Sequence, residues 1–301
     1  MAAGVTVVGD AVASRTARIA VAQYAPRIGE VEHNRAQAVR WASNAAREGA
    51  QLIVLPELVG SGYAFETLHE ARSLTEDAHA GGTIGALIEV AREHGSYIVA
   101  GLAERAGDCL HDSAVLLGPE GVLAVYRKLH LFYEEQSWFT PGSALQAVDL
   151  PFGRVGMLIC HDLWFPEPVR ALAAAGCDIV AVPTNWVGSF KPTVYDDRGY
   201  CQDDYVAMAA AGQNGVVMAC ADRIGVERDL YFLGASLIVG ADGWPIAGPA
   251  SKGAEEVLVA DVDLASVERA RSRTPRNHLL TDRRPAAYRV IVANPAGTAR
   301  L

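Results

Sequence analysis

Gly156-Met157-Leu158-Ile159-Cys160-His161-Asp162-Leu163-Trp164-Phe165-Pro166-Glu167 is an apolar run that ends in a thiol, passes a polar turn and enters a segment opened by proline. The apolar run ahead of the cysteine has strand character, and proline is pre-organised for a first helical turn. A strand-to-helix junction of this kind belongs to an α/β protein. It is also where such folds present a nucleophile, beside outward-pointing backbone N–H groups. Two other strand ends repeat the pattern with different chemistry. Leu52-Ile53-Val54-Leu55-Pro56-Glu57 closes on a carboxylate, and Val125-Tyr126-Arg127-Lys128 on an amine.

Working outward, strand and helix patterns alternate along most of the chain. Strands are predicted at 18–23, 52–55, 97–103, 113–117, 121–127, 155–159, 179–182, 216–220, 236–239 and 257–262, and helices at 34–47, 84–93, 166–175 and 203–211. Gly118-Pro119-Glu120-Gly121 supplies a turn between paired strands, and Gly240-Ala241-Asp242-Gly243 a second turn ahead of the last strand. Helices packed outside stacked sheets follow from this order. No linker or low-complexity tract divides the chain: residues 1–16 are predicted to be a disordered extension, 17–290 one domain and 291–301 a tail.

The chain has 301 residues, 50% of them hydrophobic, enough for a large buried core. Its net charge of −9, with acids and bases interspersed, disfavours nucleic acid as a partner. The basic cluster Arg269, Arg271, Arg273 and Arg276 reads as a solvated or inter-subunit face. Membrane spanning is not expected, because the longest apolar stretch, 205–221, is broken by Gln213, Asn214 and Gly215. The N-terminus lacks the basic start of a signal peptide. Five cysteines without a CxxC pair point to a reducing cytoplasm. Cys177, Cys220 and Cys109 are expected to be small buried hydrophobes.

Cys160 differs through its position. A thiol needs a base or a nearby cation to become a nucleophile at neutral pH. Of the eight histidines, His161 is adjacent in sequence, where side chains diverge, and the others lack a comparable strand-end setting. Glu57 and Lys128 are the better candidates. A partly desolvated carboxylate accepts and returns protons, and an ammonium lowers the thiol pKa and steadies negative charge on a substrate oxygen. The backbone N–H of His161 is placed to help. A zinc site made of Cys160, His161 and Asp162 is disfavoured, because adjacent residues rarely ligate one ion together.

These segments resemble the nitrilase superfamily of carbon–nitrogen hydrolases over roughly residues 18–288. Leu55-Pro56-Glu57 matches the family's glutamate motif, Tyr126-Arg127-Lys128-Leu129-His130-Leu131 its lysine motif, and Cys160-His161-Asp162 with Phe165-Pro166-Glu167 its cysteine motif. Glu135 matches an additional active-site glutamate. Asn185, Asp222-Arg223-Ile224-Gly225 and Asp282-Arg283-Arg284-Pro285 are similar to further family stretches. The resemblance implies a four-layer αββα sandwich, homodimers or larger homo-oligomers, and catalysis by Glu57, Lys128, Cys160 and Glu135 with no metal or organic cofactor.

It further implies a small-molecule amide or nitrile as substrate, with hydrolysis of a small carboxamide through a cysteine thioester as the leading reading. Nitrile hydrolysis and N-carbamoyl amine hydrolysis are the alternatives. Leu163 and Trp164 stand where the carbamoylase branch often carries an arginine, which weakens that branch, and Asp162 resembles the amidase-like and carbamoylase-like ones. The expected substrate-binding residues are His161, Tyr63, Trp164, Asn185 and Trp186, with segment 188–202 as a rim or dimer-contact loop. A silent binding module on the same sandwich is the competing class, disfavoured by the intact set of reactive residues.

Overall fold

A computed structural model describes residues 15–190 and 192–290. In chain order the elements are β1 (Thr16–Gln23), α1 (Val31–Arg47), β2 (Leu52–Val54), α2 (Leu68–Ser73), α3 (Gly82–His94), β3 (Tyr97–Ala106), β4 (Cys109–Gly118), β5 (Gly121–Arg127) and α4 (Glu135–Trp138). The second half continues with β6 (Gln146–Leu150), β7 (Gly153–Met157), α5 (Pro166–Ala174), β8 (Ile179–Pro183), α6 (Gln202–Asn214) and β9 (Val217–Ala221). Then follow β10 (Ile224–Glu227), β11 (Leu230–Leu233), β12 (Leu237–Val239), β13 (Pro245–Ala247), β14 (Glu256–Asp263), α7 (Ala265–Arg271), β15 (Ser272–Thr274) and β16 (Asn277–His278).

Two six-stranded mixed sheets carry the fold, in the orders β14-β1-β2-β3-β4-β5 and β13-β12-β9-β8-β7-β6. Strand alternation explains the layers. On β1, Ile19 and Val21 face the second sheet, in one core with Met157, Ala181 and Ala219, while Ala20 and Ala22 face outward onto α1 and α3. Leu52 and Val54 likewise point inward, Ile53 and Leu55 outward. On the far side, Val169 and Leu172 of α5 and Ala207 and Ala211 of α6 close the second sheet. The result is the expected αββα sandwich, with the central strands of both sheets buried on both faces and the margins β5, β6, β13 and β14 partly exposed.

Several particulars differ from the sequence reading. Thr16 opens β1 opposite Asp263, and Arg15 pairs with Asp178 at 2.9 Å, so both belong to the fold rather than to an extension. The rest of that extension, 1–14, and the tail 291–301 lie outside the described residues. Cys109 is exposed, because it begins β4 at the sheet margin. Arg271 is buried and donates to the Cys177 carbonyl at 2.6 Å, so the basic cluster is not one solvated face. The Gly240–Gly243 turn joins β12 to the short β13 rather than leading directly to β14.

Candidate active site

Glu57, Lys128 and Glu135 arrive from three directions and meet in a buried space. Glu57 follows β2, Lys128 follows β5, and Glu135 opens α4; their exposures are 0%, 0% and 3%. Lys128 Nζ donates to Glu57 Oε1 at 2.6 Å and to Glu135 Oε1 at 2.8 Å. The Tyr63 hydroxyl also donates to Glu135 Oε1, at 2.8 Å, and the Phe132 N–H caps its Oε2 at 2.8 Å. Asp112, a residue the sequence reading passed over, brings Oδ2 to 3.2 Å from Lys128 Nζ. The carboxylates of Glu57, Asp112 and Glu135 lie within 4.8 Å of one another, and the lysine ammonium sits among them as their cation.

Close packing and backbone strain hold these groups. A Cβ on Gly101 of β3 would stand 2.4 Å from the Glu57 Cα, so only glycine lets β3 pass beneath the glutamate. Leu58 (φ 54°), Tyr133 (φ 48°) and Cys160 (φ 42°) adopt left-handed conformations at or beside each reactive segment. Bulky residues rarely hold such angles unless their surroundings impose them, and the cost is about 1–3 kcal/mol each. β7 ends at Met157, two residues before the predicted 159; Ile159 stays extended and Cys160 begins a single 3₁₀ turn, Cys160–Trp164.

Asp162 ties that turn to the lysine segment. Its carboxylate accepts from the Ile159 N–H at 3.0 Å, the Tyr126 hydroxyl at 2.6 Å and the His130 N–H at 3.0 Å, with His130 Nδ1 at 2.8 Å. Both its oxygens are thus taken up by donors from the cysteine and lysine segments. Asn185 joins β8 to the glutamate through Nδ2, which donates to the Glu57 carbonyl at 3.0 Å. Asp222 accepts the Trp186 N–H at 2.9 Å and so fixes the segment that carries both residues.

Burial pushes the Cys160 thiol well above its ordinary pKa, and the Glu57 charge adds to this. Lys128 pulls downward, as expected of it, but is outweighed; the resting sulfur is therefore a neutral thiol. Burial by itself would lower Lys128, yet Glu135, Glu57 and Asp112 together hold its ammonium well above the ordinary value. Burial also raises Glu135 and Asp112. His161 is lowered, chiefly by burial and then by Lys128, so its ring is neutral at neutral pH.

The thiol reaches a cavity of about 300 Å³ lined by Phe132, Cys160, His161, Trp164, Asn185, Trp186, Val187, Phe190 and Asp203. Four of the five expected substrate-binding residues are there. Tyr63 is not; it bonds Glu135 and, together with Glu135, Tyr133, Trp138 and Arg228, lines a second cavity of about 350 Å³. Phe132 and Phe190 join the expected Trp164 and Trp186 in an aromatic wall. Phe132 meets His161 at 5.0 Å and Phe190 at 5.5 Å between ring centroids, and Phe190 also meets Tyr133 at 4.5 Å.

The turn between β4 and β5 points close to Asp112: counted back from Gly118–Gly121 without a bulge, Asp112 would face Arg127. A bulge between Leu116 and Leu117 shifts the register by one, so Ser113 pairs with Arg127 and the Lys128 N–H bonds the Asp112 carbonyl at 2.9 Å. Hairpin register therefore sets a carboxylate beside the reactive lysine.

The pattern of the carbon-nitrogen hydrolase family matches residues 18–272, and the chain belongs to that family. It is an enzyme that hydrolyses a small amide or nitrile by a cysteine-dependent mechanism. A nitrilase of Pyrococcus abyssi is 40% identical over 272 residues, spanning 90% of this chain and 98% of the relative. An N-carbamoylputrescine amidase of Arabidopsis thaliana is 30% identical, spanning 87% and 91%. An amidase from Nesterenkonia sp. superposes with a TM-score of 0.71 at 28% identity, covering 90% and 94% of the two chains. Variants of that amidase have been seen with the acetamide moiety of fluoroacetamide on the active-site cysteine and in complex with butyramide.

Proposed function

We propose that the chain hydrolyses a small carboxamide to its acid and ammonia, with Cys160 as nucleophile, Glu57 as general base and acid, and Lys128 as the electrophilic partner. One observation carries this reading: a buried Glu57–Lys128–Glu135 cluster beside a neutral thiol that, alone among the four residues, lines the cavity walled by Phe132, Trp164, Trp186 and Phe190. Glu57 takes the Sγ proton as sulfur attacks the carbonyl carbon, and Lys128 with the His161 N–H bears the charge on oxygen. Glu57 then protonates the nitrogen, ammonia leaves and a thioester remains. Water attacks the thioester, giving its proton to Glu57, and collapse expels the acid while the proton returns to sulfur. Glu135 holds Lys128 in place.

Phe132, Trp164, Trp186, Phe190 and Val187 favour an apolar or aromatic acyl group of few heavy atoms. The amides recorded with the Nesterenkonia amidase support the amide over the nitrile; the Pyrococcus relative's name supports the nitrile as the second reading. The five free cysteines support a cytoplasmic setting. Among the described residues no helix is long and apolar enough to cross a membrane.

The test is ammonia release from aliphatic and aromatic amides, nitriles and N-carbamoyl amines. Amide turnover that exceeds nitrile turnover is expected. Turnover of nitriles alone, or of carbamoyl compounds with release of carbon dioxide, would replace this reading.

A further inference from the structure

We propose that Asp112 is a positioning residue for the reaction: it shares one proton with Glu57, and this shared proton limits the negative charge in the buried cluster. Three carboxylates surround one ammonium in a space where Glu57, Asp112 and Lys128 are all 0% exposed. If all three were ionised, two charges would lie uncompensated in a medium that cannot solvate them, and such a site takes up a proton instead. Hydrogen bonding shows where the proton belongs. Glu135 has donors on both oxygens, and Glu57 Oε1 has Lys128. Glu57 Oε2 and Asp112 Oδ1 receive no N–H or hydroxyl from any described residue, and Asp112 Oδ2 has only the Lys128 ammonium, 3.2 Å away without hydrogen-bond geometry. A proton between those unpartnered ends satisfies both carboxyls at once.

The groups facing Asp112 are Glu57 after β2, Lys128 after β5 and Glu135 on α4, with Cys160 coupled to the same charges. On its own strand, His111 turns to the Thr140 carbonyl at 2.6 Å and Ser113 to Glu104 at 2.6 Å, so neither supplies a donor. Asp112 does not line the cavity that the thiol enters. Its action is therefore on charge rather than on substrate. When pH rises far enough to remove the shared proton, the added negative charge opposes formation of the thiolate and the oxyanion, and kcat falls. The pair is not consumed in turnover, since the proton that Glu57 carries from sulfur to nitrogen is a separate one.

This inference rests on the roles proposed above for Glu57 and Lys128, and its test is chosen to separate the two. The first readout is infrared: at neutral pH the Cys160→Ala protein should show a C=O band of a buried protonated carboxyl, shifted in D2O and missing from Cys160→Ala/Asp112→Asn. It needs no turnover and so stands even if the amide panel fails. The second is the kcat–pH profile of Asp112→Asn, whose amide is a permanently neutral donor to Glu57 Oε2. The alkaline limb should move up by at least about one pH unit, with KM unchanged. In case the asparagine variant does not fold, the wild-type band should vanish across the same pH range as kcat declines. An absent band, a band that survives Asp112→Asn, or an unmoved alkaline limb in that variant would overturn the proposal.

Discussion

Cys160 pairs a left-handed backbone with a thiol that burial and Glu57 keep protonated. The nucleophile is thus made on demand by proton transfer, in contrast to a stored thiolate. Cys160→Ser should therefore lose at least ~10³-fold in kcat, because the hydroxyl is harder to ionise and the site gives it no more help than the thiol. Cys160→Ala should abolish ammonia release, with stability within about 1 kcal/mol of the parent by urea titration. Retained turnover in the alanine variant would remove Cys160 from the chemistry. At this scale the sequence was most legible. Cys160, Glu57 and Lys128 end apolar strands, and a reactive group at a strand end announces itself. Asp112 did not, because it lies within a polar strand start where a carboxylate looks ordinary, and only cross-strand register brings it to Lys128.

β5 delivers Lys128, and its position depends on a clamp one residue earlier. Arg127 grips Glu104 of β3 through Nε at 2.8 Å and Nη2 at 2.7 Å, and Ser113 of β4 adds a hydroxyl at 2.6 Å. Burial works to raise the Glu104 carboxyl, but these donors outweigh it and hold it below the ordinary 4.5. A depressed folded pKa means that the clamp stabilises fully above the unfolded value and is lost as pH falls through the folded one. Glu104→Gln should therefore cost about 1–3 kcal/mol at pH 7, discounted because Arg127 is 40% exposed. The gap between parent and variant in urea titrations should close on acidification, and a gap constant with pH would contradict the clamp. The presence of β1, α1 and β8 was legible from their apolar patterns, though β1 begins at Thr16 and α1 at Val31, two and three residues before the predicted starts. The β10–β11 hairpin escaped because its two-residue loop puts Arg228 at φ 51°, where Asn or Gly is the usual signal. β6 and β13 are short and partly polar, so nothing in their composition separates them from loop.

Across the molecule, the site exists only because two sheets hold their strand ends together. Glu57 and Lys128 come from the first sheet and Cys160 from the second, so no single element contains the reaction centre. The sandwich itself could be inferred from strands without charge and from the family resemblance, whereas the ties between the sheets are side-chain contacts that no periodicity encodes. Tyr126 supplies one: from β5 it reaches Asp162 in the cysteine turn at 2.6 Å, and both residues are 0% exposed. Tyr126→Phe keeps the ring in the core and removes only the hydroxyl, so about 1–2 kcal/mol should be lost in unfolding free energy. Asp162→Asn should cost more, because it also disturbs the Ile159 and His130 contacts. If the tyrosine acts through this aspartate, the double variant should be less impaired than the sum of the two, with coupling of about 1 kcal/mol or more. The same coupling should appear in kcat, since loosening this tie lets the lysine and cysteine segments drift apart while the cavity wall is untouched. Additive losses in both quantities would mean that the sheets are registered by core packing alone and that the Tyr126–Asp162 contact follows from that register without setting it.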